Sequence, residues 1–365
     1  MRRNKLAHPR GSDGALPSLE FYLPEIPPSE FRPPPSIAFM DPQTQTIVTT
    51  TLSIFLIVAI GFITRRVGII DDSTEANIMK LVVWVLVPCF ILSKVPGNPS
   101  LQNASTVAAA MGIGTAIIAA SFGISLLTGR LFGISNEDGV KTFSVATGIQ
   151  NYGFIPIPLI EGIFPETADQ ILGVLFVHNL GVELAIWTLG IVLLSGSATG
   201  AWKRLINGPS IAIVIGLLLN FTRPWAILPP PAMPVVEVLQ RATTMTGTCA
   251  IPIALLLVGA TLCGILQREK WQPNWRVLMA STVLRFAILP AMILLVASFI
   301  SFSEELRLVL AVQAAMPTGI FPIVLSKHFG GKPSIAIQVA LLSSALSVVL
   351  TPLLLSMALK LFVAS

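Results

Sequence analysis

Charge is what this sequence has least of. Only 11% of its 365 residues are Asp, Glu, Lys or Arg, against roughly 25% in a soluble globular domain. So little charge cannot coat a water-soluble globule of this size. Histidine (3), cysteine (3) and tyrosine (2) are scarce as well. Cys89, Cys249 and Cys263 lie inside apolar segments, with neither metal-ligand spacing nor a disulfide framework. They read as small buried hydrophobes. No Gly-x-x-x-x-Gly-Lys phosphate loop occurs, which argues against ATP-driven transport by this chain alone. A His-Glu-x-x-His metal site and a nucleophile elbow are also missing. No cofactor, resident metal or catalytic group is expected. An intramembrane enzyme is the weakest reading, because Glu183 alone supplies no nucleophile–base pair. The paired aspartates expected of a sodium–proton antiporter are absent too.

What the chain has in abundance is apolar sequence, 53% of residues, gathered into long blocks with short charged punctuation. A helix crosses the hydrocarbon core in roughly 20 residues, and the chain offers about ten such blocks. The spans predicted are Thr46–Thr64, Asn77–Ser93, Ser105–Leu127, Val140–Phe164 and Ile171–Leu194, then Leu205–Phe221, Thr243–Leu266, Val277–Ile300, Leu306–Phe329 and Ile335–Phe362. Asp72 and Glu75 are placed like a capping pair at the start of the second. In the third, Ala108, Gly112, Ala116 and Ala120 recur every fourth position, a stripe that would let another helix approach closely. The net charge of +5 sits at helix ends and speaks of topology, not of a nucleic-acid partner. With the N-terminus outside, the inner loops hold Arg65, Arg66, Arg130, Lys141, Lys203, Arg204, Arg268, Lys270, Arg276 and Lys332, while the outer ones hold Lys94, Arg223 and Arg307. That asymmetry follows the positive-inside rule and places both termini outside a cell or inner membrane. Residues 1–39 are proline-rich, lack a signal-peptide core and read as disordered; Met40, directly before the first span, offers a second start of translation beside Met1.

Two distant segments share a pattern. Gly153-Phe154-Ile155-Pro156-Ile157 in the fourth span matches Gly319-Ile320-Phe321-Pro322-Ile323 in the ninth, which sets Asn151 opposite Pro317. Pro88 in the second span likewise matches Pro252 in the seventh. An offset of five spans reverses orientation, so residues 40–200 and 201–365 would be inverted five-helix repeats. Glycine and proline interrupt helices, and matched interruptions in two halves mark the binding site of a transporter. Two broken helices, the fourth and the ninth, crossing near the midplane would present half-helix N-termini that suit a carboxylate. Pro156, Pro158 and Pro322 are the expected hinges.

These residues resemble the auxin efflux carrier family, which includes plant PIN carriers and malate permease-like bacterial carriers. The resemblance rests on Gly61-Phe62 with Arg65-Arg66-Val67-Gly68, on Pro88, on Asn151-Tyr152-Gly153-Phe154 through Pro158, and on His178-Asn179-Leu180. It continues through Gly208-Pro209 and Arg285-Phe286 to Met316-Pro317-Thr318-Gly319-Ile320-Phe321-Pro322 with Lys327. It implies ten helices in two inverted repeats, and a scaffold built from the first, second, sixth and seventh. A transport domain formed by the others would move a small organic anion by elevator-type alternating access. It also implies a homodimer. The family's crossover asparagine maps onto Asn151 and its ninth-helix proline onto Pro317. Asn151, Tyr152, Gly153, Met316, Pro317, Thr318 and Gly319 form the expected substrate-binding set. The chain departs from plant carriers in lacking a long loop between the fifth and sixth spans. It also carries Thr318 where they tend to have glutamine, Pro156 where many members have glycine, and no acidic residue in the third span. Auxin is therefore doubtful as the natural substrate. A sodium- or proton-coupled carrier of the bile-acid transporter type is the alternative.

The remaining candidates are supporting residues. Gln150 and Asn179 flank the motifs. Arg285, mid-span in the eighth helix, would attract an anion or hold a structural partner such as Glu183. His178 and Glu183 would form a hydrogen-bonded pair or a proton relay. Lys327 is either an inner-facing topology signal or a substrate-attracting charge.

Overall fold

A computed structural model describes residues 41–197, 201–227, 233–268 and 272–363; the stretch expected to be disordered, 1–39, lies outside them. The regular elements of the described chain are all helices. We label its helices α1 (Pro42–Arg66), α2 (Asp72–Lys94), α3 (Ala104–Leu131), α4 (Val140–Gly148), α5 (Pro156–Ile163) and α6 (Ala168–Ser195). There follow α7 (Gly208–Thr222), α8 (Met233–Thr248), α9 (Ala250–Arg268), α10 (Trp275–Ser298), α11 (Glu304–Ala314), α12 (Phe321–His328) and α13 (Pro333–Val363). Seven stretches are long and apolar enough to cross a membrane: α1, α2, α3, α6, α8 with α9, α10 and α13. Of the other three predicted spans, the fourth and ninth are split in two, and the sixth is 15 residues long.

Local chemistry sets the ends. Asp41 caps α1 by accepting the Thr44 N–H at 2.9 Å, with Pro42 at the first position, where a missing N–H costs nothing. Asn207 caps α7 through the Ser210 N–H at 2.9 Å, and Ser303 caps α11 ahead of Glu304 and Glu305, whose charge suits the helix N-terminus. At α2 the cap is Asp71, which accepts the Thr74 N–H at 2.7 Å. The expected pair Asp72 and Glu75 is used elsewhere. Asp72 bonds Arg65 and Arg268, while Glu75 accepts the Thr261 hydroxyl at 2.6 Å and pairs with Arg65 at 3.4 Å. That cluster joins α1, α2 and α9 at one end.

The helices pack in two sets. In one, α1 lies along α9, and α2 packs against α7 and α8. A Cβ on Gly259 would overlap the Val58 carbonyl, and one on Gly61 the Leu256 carbonyl, so these glycines set the spacing of α1 and α9. In the other set, α3, α4, α5, α6, α10, α11, α12 and α13 enclose the breaks, with α5 and α13 also lying against α1. Within the described chain the α3 stripe receives no other helix. Ala108, Gly112, Ala116 and Ala120 are exposed. Instead Gly114 faces the His178 carbonyl and Gly181 faces the Met111 carbonyl, so the α3–α6 contact uses a different face. Spacing by four identifies a stripe but cannot say which side of the helix meets protein. The other matched prolines disturb their helices less than expected. Pro88 follows a five-residue π-helical turn, Val82–Leu86, and its counterpart Pro252 follows a one-residue interruption at Cys249.

Candidate functional site

The two split spans meet at their breaks. After Gly148, Ile149 turns extended (φ −91°, ψ 108°) and the chain becomes helical again at Pro156. In the second break the chain leaves α11 at Ala314 and re-enters a helix at Phe321. Gln150 and Thr318 form an antiparallel bridge, with the Asn151 N–H donating to the Pro317 carbonyl at 2.7 Å and the Gly319 N–H to the Ile149 carbonyl at 3.3 Å.

Proline explains why the helices cannot continue. Pro156 has no N–H for the Tyr152 carbonyl four residues earlier. That carbonyl is taken by two side-chain amides, Asn179 Nδ2 at 2.7 Å and Gln313 Nε2 at 3.2 Å. In the second break, Thr351 Oγ1 donates to the Ala315 carbonyl at 2.9 Å and Ser343 Oγ accepts the Thr318 N–H at 3.2 Å. Away from water every freed main-chain group needs such a partner.

The breaks differ in what they leave open. Met316 through Gly319 are buried, whereas Asn151 through Phe154 are half-buried. The N–H groups of Tyr152, Gly153 and Phe154 make no main-chain hydrogen bond among the described residues. A Cβ on Gly153 would meet no neighbouring atom within 4 Å, so open space adjoins these donors. Asn151 Oδ1 accepts the Ile155 N–H at 3.5 Å, a long bond that steadies the start of α5.

Extended backbone alternates its side chains, and this divides the expected binding set. Gln150 and Thr318, opposite each other in the bridge, are 1% and 2% exposed. They point away from the half-buried side on which Asn151 lies. The Gln150 amide atoms and Thr318 Oγ1 have no hydrogen-bond partner among the described residues. Arg285 reaches the last turn of the helix before this break. It is 1% exposed, donates from Nη1 to the Thr147 carbonyl at 3.3 Å near the end of α4, and forms no ion pair among the described residues. Its contact is therefore with a helix C-terminus, where a cation is favourable, and not with Glu183. Glu183 Oε2 accepts from Asn207 Nδ2 and Ser210 Oγ, both at 3.0 Å, which ties α6 to the start of α7. His178 lies 3.4 Å from Asn179 Oδ1 and does not bond Glu183, so the proposed pair does not form. Lys327 is exposed in the last turn of α12. Pro322 lies in the first turn of α12, as Pro156 does in α5, and Pro158 faces a separate cavity. Gln313, Ser343 and Thr351 were not singled out from the sequence. The available signal was a polar side chain inside an otherwise apolar span.

The profile of the membrane transport protein family matches residues 46–203 and again residues 198–355. The chain belongs to the auxin efflux carrier family of membrane transport proteins. It is thus a multi-pass integral membrane protein and a transporter, not an enzyme. The family resemblance read from its motifs is correct, and the twofold match is consistent with a duplicated unit. An uncharacterized transporter of Methanothermobacter thermautotrophicus is 24% identical over 325 residues, covering 83% of this chain and 96% of the relative.

Proposed function

We propose that this auxin efflux carrier family member is a secondary transporter of a small organic anion bearing a carboxylate. The substrate docks against the first break, on Asn151, Tyr152 and Gly153, with the Pro317 segment behind it. The observation that carries this reading is the run of uncommitted main-chain N–H groups at Tyr152, Gly153 and Phe154, beside open space and just ahead of α5. Consecutive donors before a helix N-terminus suit an anion, and pairing with the second break holds them in place. In this reading residues 40–200 and 201–365 are inverted repeats whose breaks cross near the bilayer midplane, with both termini outside. The set containing α1, α2, α7, α8 and α9 is the scaffold, and the set around the breaks moves against it as an elevator.

Asn151→Ala tests the site. In proteoliposomes loaded with radiolabelled malate or indole-3-acetate, whichever the wild-type chain carries, the variant should lose transport while keeping its circular dichroism and melting profile. Normal transport by the variant would refute the assignment. Repeating the assay with and without sodium and proton gradients separates this reading from a coupled carrier of the bile-acid type.

A further inference from the structure

A second cavity, distinct from the crossover, lies between the two helix sets. It measures about 240 Å³ and is lined by α1, by Phe90 of α2, by Pro158 and Glu161 of α5, and by residues of α8 and α9. Its walls are mostly apolar, among them Ile54, Ile57 and Leu255. The polar atoms that can be assigned a role are hydrogen-bond acceptors. Glu161 is a carboxylate with no ion pair among the described residues. The nearby Lys94 is bound to Asp169 at 2.6 Å. Ser53 uses its hydroxyl proton on the Thr49 carbonyl at 2.9 Å, and Thr248 uses its own on the Met245 carbonyl at 2.9 Å. Both therefore present lone pairs to the cavity. Pro252, also in the wall, cannot donate to the Thr248 carbonyl four residues before it.

We infer that this cavity is a binding site for a small organic ammonium ion. An ammonium carries only donors and matches a wall of acceptors around one carboxylate. Its hydrocarbon body would lie against Phe90, Ile54, Ile57 and Leu255, and the volume accommodates a single aromatic ring with a short arm. An anion would meet the Glu161 carboxylate with only the Thr50 hydroxyl as a candidate donor. Because α5 lies on one side and α1, α8 and α9 on the other, an occupant would also bridge the two helix sets. The inference does not depend on the crossover being a carboxylate site.

Calorimetric titration of the full-length, detergent-purified protein at neutral pH tests it with three isosteric probes: benzylammonium, benzyl alcohol and benzoate. Benzylammonium should bind; benzyl alcohol should not, and benzoate should not bind in the Asn151→Ala variant, which removes the crossover site. Glu161→Gln, at an exposed position and so expected to leave the melting profile unchanged, should weaken benzylammonium roughly tenfold or more. Sodium chloride is titrated against potassium chloride at equal ionic strength as the inorganic arm. Equal binding of benzyl alcohol, equal binding of benzoate in the Asn151→Ala variant, unchanged affinity in the Glu161→Gln variant, or a signal from sodium but not from benzylammonium would each overturn the proposal.

Discussion

The Tyr152 carbonyl offers a test of how the first break is held. It is freed by Pro156 and caught twice, by Asn179 from α6 and Gln313 from α11. Asn179→Leu and Gln313→Met each remove one amide while roughly keeping volume. A side-chain hydrogen bond between membrane helices is worth about 0.6 kcal/mol on average, so each single change should cost on that order. Together they leave a carbonyl with no donor, and an unpaired buried polar group costs about 1–3 kcal/mol. The double variant should therefore lose more than the sum of the singles, with a coupling energy of about 1 kcal/mol. Because the partners come from different helices, 134 positions apart in the chain (Asn179 and Gln313), the cycle reads tertiary geometry and not local helix propensity. Reversible unfolding in mixed micelles provides the measurement. Strict additivity, or a double variant as stable as the wild type, would show that the two amides do not converge on one acceptor, and the described break would be wrong.

Three other outcomes are expected. Gly259→Ala drives a Cβ into the Val58 carbonyl across the α1–α9 contact. It should destabilise by about 1–3 kcal/mol in the same unfolding assay, whereas Gly112→Ala, on the exposed face of α3, should be neutral or slightly stabilising. Hydrogen bonds from the Thr74 hydroxyl and N–H and the Ser73 hydroxyl hold Asp71 at about 2, below the usual carboxylate value of 3.8. A depressed carboxylate stabilises above its unfolded pKa and loses that contribution as pH falls through the folded one. Asp71→Ala should thus be less stable than wild type at neutral pH, with the gap closing between about pH 4 and pH 2 in a pH series of melting temperatures. Asn151→Ala and Glu161→Gln should separate cleanly: the first abolishes anion transport without touching benzylammonium binding, and the second weakens benzylammonium binding.

The breaks were legible because proline and glycine act through the backbone. Pro156 and Pro322 forbid a specific hydrogen bond wherever the chain goes, and both begin half-helices. What could not be read was anything that depends on which side of an element faces the protein. Asn151 and Thr318 look like members of one motif set, yet one alternation of an extended strand sends Gln150 and Thr318 to the buried side. The α3 stripe, which receives no other helix within the described chain, is a second case. Glu183 and Arg285 looked like partners because they are opposite charges in apolar spans. In the fold each is answered by something composition does not reveal, an α7 cap for Glu183 and a main-chain carbonyl for Arg285.

The two breaks are alike in sequence and unlike in their chemistry, and that difference decides which one can read a ligand. In the second, Thr351 and Ser343 of α13 occupy the freed main-chain groups, and the Gly319 N–H is spent on the bridge. The segment is buried and its backbone is largely satisfied. In the first, helper amides occupy only the carbonyl of Tyr152, while the donors of Tyr152, Gly153 and Phe154 remain uncommitted at a half-buried surface. Satisfying acceptors while leaving donors open biases the surface toward a negative guest. Arg285, at the end of α4, adds positive charge behind the break and is held there by the Thr147 carbonyl. An anion arriving at the first break therefore displaces no protein hydrogen bond, whereas at the second it would have to compete with bonds already made. This is why transport should depend sharply on Asn151 and its neighbours, while substitutions at Ser343 or Thr351 should appear first as lost stability.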